Sequence, residues 1–311
     1  MKFWVGLTDY EWFRFLSRLK PDELNFWQPS ADSRFSALQP GEIFLFKLHS
    51  PRNFIVGGGV FSSFSVLPIS MAWDAFGQKN GAVSEEVLRT QIIQYKRKEI
   101  GDFEDFNIGC VILTQPFFFP ESDWFPVPEW SPQIVRGKTY DLDSIAWKKI
   151  WQNLLPALQR CHEFDLDKEA KRINEEYPRY GKEMLIRPRL GQGAFKIAVT
   201  DAYGRSCAIS EEHTLPVLEA AHIKPFSFQG PHQVRNGLLL RSDIHRLFDK
   251  GYITVTPDLR VEVSRRLKQE FENGRSYYPF HGKKLHHVPF SPDDLPSKEL
   301  LIWHNENSFL G

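Results

Sequence analysis

The sequence predicts an α+β protein made of two modules with a helical connector between them. Three observations carry this. The chain has 311 residues, more than one small domain uses and about right for two. Its first part reads as apolar or alternating strands broken by turn residues. Its last part reads strand, loop, strand, helix, and holds eight of the ten histidines. The predicted boundaries are 1–140, 141–185 and 186–311.

Composition narrows the class before any motif does. Hydrophobic residues make up 41% and charged residues 25%, which excludes a mainly disordered chain or a disulfide-dense mini-protein. Aromatic content is 14%, with 26 Phe and 9 Trp, enough for a ring-filled core or a ring-lined pocket. Net charge is zero. Residues 1–180 hold 21 basic against 24 acidic residues and residues 181–311 hold 18 against 15, a weak asymmetry. Cys110, Cys161 and Cys207 are sparse and odd in number, which predicts a reducing, cytoplasmic setting and no cysteine-based zinc site. No apolar run reaches the roughly 20 residues of a membrane span, and the start MKFWVGLTDYEWF predicts no cleaved leader.

In the first module, Gly41–His49 alternates Ile43, Leu45 and Lys47 against Phe44, Phe46 and Leu48, a strand buried on both sides. Pro51 and Asn53 mark a turn. The next strand, FIVGGGVFSSFSVLP, is interrupted by Gly57-Gly58-Gly59, which predicts a bulge or the close approach of a backbone or ligand. Ser84–Arg97 reads as a helix with Ser84 as its N-cap, and Asn107–Gln115 as a buried strand. Phe117–Trp130 reads as a loop broken by prolines. Ile145, Trp147, Ile150, Trp151, Leu154 and Leu155 have helical spacing and place a helix in the connector, with the Trp pair as packing surface.

In the second module a helix end and Gly turn lead into VLEAAHIKPF, a short apolar segment ending at His222. GPHQVRNGLLLRSDIHRLFDKGYITV then reads loop, strand, helix, Gly turn and strand, with Asp243 as N-cap and Gly251 as stop. His222, Asn236 and His245 are 14 and 9 positions apart. A ββα unit folds the hairpin onto the helix, so the two imidazoles converge across a cleft. Such a site can hydrolyse a phosphodiester. One neutral histidine takes a proton from water, while a divalent cation on the other stabilises the charge that develops on phosphate. An Asn amide can brace the loop between them. Adjacent His286 and His287 point apart on an ideal strand and predict no metal site.

The residues CAISEEHTLPVLEAAHIKPFSFQG and RNGLLLRSDIHRLFDKGYITV resemble the HNH endonuclease superfamily, in the branch marked by EAAHI and NGLLLxxDIHxLFD. The resemblance runs from about Arg187 to Leu267. It implies His222 as general base, Asn236 as the central Asn and His245 as a ligand of a divalent metal (Mg, Mn or Ni). Many members carry Asp or His just before the base; here that position is Ala221. The replacement ligand is expected among Asp243, Glu219, Asp249 or water, with Asp243 favoured. Arg241 and Arg246 are expected at DNA phosphates, and Asp249 as a helix cap or ion-pair partner.

The stretch from Gly41 to Ala82, ending in AWDAFGQKNGA, resembles the PUA superfamily of EVE, ASCH and SRA-like domains. That implies a small β-barrel with a pocket for a flipped base. The expected pocket residues are Trp73, Phe61, Phe64, Asn53 and Asp74. Together the two resemblances imply a modification-dependent restriction endonuclease that acts on double-stranded DNA bearing modified cytosine; because one HNH site cuts one strand, a homodimer is the expected partner arrangement for a double-strand break. Two other outcomes stay open: a nucleic-acid-binding protein with a degenerate HNH unit, and a nuclease that reads phosphorothioate or RNA.

Overall fold

The computed structural model describes residues 2–31, 34–96, 104–141, 144–160 and 190–311. The chain divides into two compact units, Met1–Gly191 and Gln192–Gly311. Within the first unit, β1 (Lys2–Thr8) leads into α1 (Tyr10–Leu19), β2 (Glu23–Gln28), β3 (Ile43–Leu48) and β4 (Phe54–Pro68). Then come α2 (Ile69–Phe76), α3 (Glu85–Tyr95), β5 (Asn107–Phe118), β6 (Phe125–Pro126), β7 (Gly137–Asp141) and α4 (Ile145–Arg160). The strands lie in the order β2-β5-β4-β3-β1-β7, with β6 beside the start of β4. β1 and β3 run parallel, while the other pairs are antiparallel.

The alternation in β3 sorts the two faces. Ile43 and Leu45 join Phe3, Val5, Phe117 and α4 in one core; Phe44, Phe46 and Leu48 join Trp12, Phe13 and Leu16 of α1 in the other. Trp147 of α4 stacks on Phe3 with centroids 5.0 Å apart, and Trp151 stacks on Trp147 at 5.4 Å, so this pair packs the first unit's core. The rest of the expected connector, 161–185, lies outside the described residues, as does Cys161. Gly57 and Gly58 are needed for close strand approach. A Cβ on Gly57 would stand 2.3 Å from the Phe117 carbonyl oxygen, and one on Gly58 2.4 Å from that of Phe44.

Two expectations change. The strands follow an open path instead of a closed barrel, since among the described residues no pairing joins β2 to β7. Helices, not further strand pairing, cover the two faces. The Phe117–Trp130 stretch is also less loop-like than expected: Phe117 and Phe118 continue β5 opposite Gly58 and Gly57, and Phe125 pairs with Ile55. Ser84 does cap α3, its hydroxyl accepting from the Val87 N–H at 3.4 Å.

In the second unit α5 (Gln192–Ala202) precedes the hairpin of β8 (Leu218–His222) and β9 (Gly237–Arg241). β9 passes directly into α6 (Ser242–Asp249), followed by the β10 (Ile253–Val255) and β11 (Val261–Val263) pair, α7 (Arg266–Phe271) and α8 (Lys298–Asn307). Gly251 adopts a φ of +74° and ends α6. The N-cap is Arg241, not Asp243, which lies in the first turn. Buried Cys207 anchors the unit's start, its sulfur accepting N–H bonds from Ser210 and Arg241, both at 3.3 Å.

His304 on α8 is 2% exposed, stacks on Phe248 of α6 at 3.9 Å and meets the Thr254 hydroxyl at 2.8 Å. Burial pushes its pKa down to about 4, against a smaller opposing effect of the Phe248 carbonyl. The unfolded ring takes a proton below about 6.5 while the folded ring does not until about 4. Stability held above pH 6.5 is therefore lost as pH falls towards 4, by about 3 kcal/mol from this residue. Denaturant unfolding across that pH range is expected to show a steep acid loss that His304→Gln makes shallower.

Candidate active site

β8 and β9 pair in the register His222 with Gly237 and Glu219 with Leu240, and α6 continues from β9. This places the three residues singled out by spacing in one ββα unit. His222, at the end of β8, is half-buried and lies flat on Phe195 of α5, with ring centroids 3.9 Å apart at 15°. Its Nε2 is 3.2 Å from Nδ1 of His232. Burial, then the nearby His232 and His245 rings, push the His222 pKa down to about 4. The ring is thus neutral at pH 7, as a general base requires. His245 adds the smallest part of this shift, and no hydrogen bond joins the two rings.

Asn236 is fully buried. Its Oδ1 accepts the Lys224 N–H at 2.9 Å, and its Nδ2 donates to the carbonyls of Lys224 and Pro231, each at 2.9 Å. The amide therefore clamps the segment just after His222 to the loop returning towards β9.

His245 is flanked by carboxylates on both nitrogens. Nδ1 is 2.6 Å from Glu219 Oε2, and Nε2 is 3.3 Å from Asp249 Oδ2. A neutral imidazole has one N–H and can satisfy only one of these. The other contact sets a lone pair against an anion unless a proton or a cation lies there. Burial, reinforced by the Glu219 charge and opposed by His245, raises the Asp249 carboxyl pKa.

Asp243 is not beside His245. Its oxygens hold Arg241 in a two-point contact of 2.6 and 2.8 Å and accept the Tyr277 hydroxyl at 3.1 Å, so the Arg241 guanidinium keeps its carboxyl below the usual range. The helix explains the difference. Asp249 is one turn from His245 and shares its face, whereas Asp243 is two positions away. Arg241 is thereby committed to an internal pair; Arg246 is exposed on α6.

Among the described residues no group of three or more His, Cys, Asp or Glu side chains is ready-made for a metal ion. The donors around His245 nonetheless suit one: an imidazole nitrogen with hard carboxylate oxygens fits Mg²⁺ or Mn²⁺. Two neighbouring ligands of an octahedral ion stand about 3 Å apart, close to the His245–Asp249 spacing.

The residues of the expected base pocket have different surroundings. Phe61 is 4% exposed and packs on Phe35 at 5.4 Å, with Phe64 6.5 Å from the same ring. Asn53 sits on the exposed turn before β4, where its Oδ1 accepts from Lys47 Nζ at 2.8 Å. Half-buried Trp73 and exposed Asp74 lie on α2. The segment after them is braced instead by buried Asn80, whose backbone carbonyl accepts both the Trp12 and Trp27 indole N–H groups at 3.1 Å. His286 and His287 do not point apart: their rings are 4.7 Å from each other, and His287 meets His213 at 5.8 Å.

Residues 207–256 match the HNH_2 family, described as HNH endonuclease, so this stretch is an HNH endonuclease domain. Among solved structures, the ASCH protein from Zymomonas mobilis is similar to part of the chain at 11% identity and a TM-score of 0.32, over 50% of this chain and 94% of that one. A mutant form of it gives 10% and 0.33, over 49% and 98%. A modification-dependent restriction endonuclease, TagI, is similar at 12% identity and a TM-score of 0.28, over 87% of this chain and 62% of that one. No curated protein matches the chain. No helix among the described residues is long and apolar enough to cross a membrane.

Proposed function

We propose that the chain is a metal-dependent DNA endonuclease in which the first unit selects modified DNA and the HNH domain cuts it. The observation that carries this reading is the ββα unit itself, with a neutral, half-buried His222 on the hairpin and a carboxylate-flanked His245 on the helix. His222 takes the proton of the attacking water. Asn236 keeps that imidazole in place by clamping the chain on both sides of the loop. Glu219 holds His245 through Nδ1, which directs Nε2 and Asp249 towards a shared cation. When bound, the divalent ion supplies Lewis-acid stabilisation of phosphate charge.

This assignment separates three carboxylates. Asp249→Asn and Glu219→Gln are each expected to raise the Mn²⁺ concentration needed for cleavage by roughly 10–100-fold, the range for ligands and their supports. Asp243→Asn frees Arg241 and is expected to leave the metal requirement unchanged. A metal titration of cleavage rate checks all three.

The reading of modified cytosine rests on the family likeness of the Gly41–Ala82 stretch. Digestion of matched phage DNA, with and without modified cytosine, tests it: selective cutting of the modified DNA is expected, and equal cutting would remove the reader role. Phosphorothioate DNA and RNA, as further substrates, distinguish other marks. One HNH site cuts one strand, so a double-strand break calls for a second copy. Ala221 favours a second reading, a DNA-binding unit without activity, because it removes the side chain most often placed first on the metal; Glu219 and Asp249 argue against it.

A further inference from the structure

His232 lies outside the His222, Asn236, His245 pattern, yet it touches the base. Its Nδ1 is 3.2 Å from His222 Nε2. Its ring stacks on Phe226 with centroids 4.7 Å apart at 25° and stands edge-on to His222 at 5.1 Å and 73°. With His222 flat on Phe195, the two imidazoles are held between two aromatic rings. Asn236 sets their spacing, because it bonds Lys224, two residues after His222, and Pro231, immediately before His232.

Two ring nitrogens at this separation share a single hydrogen. If His232 donated it, the Nε2 lone pair of His222 would be occupied and Nδ1 would carry the ring's hydrogen, leaving no basic nitrogen. For His222 to act as a base with the contact intact, Nε2 must carry the hydrogen and donate it to His232. Nδ1 is then the nitrogen that faces the nucleophile. Around the pair, His232 and His245 act electrostatically on His222, Glu219 and Asp249 flank His245, and α5 places Phe195 against the His222 ring.

We infer that His232 is the second imidazole of a proton relay, an inference that rests on the nuclease reading and extends it. As the water oxygen bonds to phosphorus, its O–H breaks and the proton goes to Nδ1 of His222. The leaving oxygen departs with the P–O electron pair and is protonated by solvent. The Nε2–H bond of His222 then breaks as an N–H forms on Nδ1 of His232. This moves the positive charge onto His232, which passes a proton to solvent. His222 returns to its starting tautomer by proton exchange with water.

The test uses the full chain, plasmid DNA and Mn²⁺, with kcat and KM measured for wild type, His232→Ala and His232→Phe. The phenylalanine keeps the stack on Phe226 but has no nitrogen. Both variants are expected to lose roughly tenfold or more in kcat with KM unchanged. Added imidazole is expected to restore the alanine variant, which has room for it, and not the phenylalanine variant. A wild-type rate in His232→Phe, or an alanine variant that imidazole leaves unrestored, would overturn the relay while the nuclease reading stands. Wild type inert towards DNA would overturn both.

Discussion

His222→Ala is expected to lower DNA cleavage by roughly 10²–10⁴-fold, the usual contribution of a positioned general base, and to leave DNA affinity unchanged. The ring is suited to that role by its surroundings. Burial on Phe195, with His232 and His245 nearby, brings its pKa down to about 4. The sign of the pH dependence follows. A folded ring with a depressed pKa stays neutral as pH falls through 6.5 and is protonated only near 4. With metal saturating, the acid limb of kcat/KM is therefore expected well below that of an ordinary imidazole. Single-turnover cleavage between about pH 4.5 and 7.5, a range spanning the ordinary imidazole value, checks both points, and an alanine variant that cuts at the wild-type rate would remove His222 from the reaction.

Asn236→Ala is expected to be the most damaging single change to the second unit's fold. It removes three hydrogen bonds made by a fully buried amide. The Lys224 N–H and carbonyl lose their side-chain partner, at roughly 1–3 kcal/mol for each group left unpaired, while the Pro231 carbonyl keeps the Gln233 N–H at 3.0 Å. The sum, roughly 2–6 kcal/mol, reaches the whole stability of a marginal domain. Asn236→Asp does not rescue it, since a carboxylate offers two carbonyls no hydrogen. Denaturant unfolding of the two variants measures the loss; a decrease below about 1 kcal/mol, the net worth of one ordinary hydrogen bond, would mean the clamp is not needed.

The site was partly legible in the sequence because its main parts are local. His222, Asn236 and His245 fall within 24 residues, and a hairpin followed by a helix brings such spacing together whatever surrounds it. His232 was missed: its contact with His222, ten positions away, depends on the path of the loop between β8 and β9, which has no periodicity to read. The position of Asp249 was readable, since i and i+4 share a helix face, and Asp243 was favoured over it only for its place near the helix start. Asp243 answers to Arg241 and Tyr277, and Tyr277 is too distant in sequence for any local pattern to include it. In the first unit the alternation in β3 foretold which residue joins which core. Pocket residues are harder to read in the sequence for the opposite reason. A ring such as Phe61 has the same composition in a core as in a pocket, and only the packing partner, here Phe35, distinguishes them.

The most direct measurement of the central claim is cleavage of supercoiled plasmid by the intact chain with Mg²⁺, Mn²⁺ or Ni²⁺ and with EDTA, alongside His222→Ala. Nicked or linear product is expected with at least one metal, none with EDTA, and little with the variant. Product that persists in EDTA, or that forms equally well without His222, would contradict a metal-assisted hydrolysis run by this histidine.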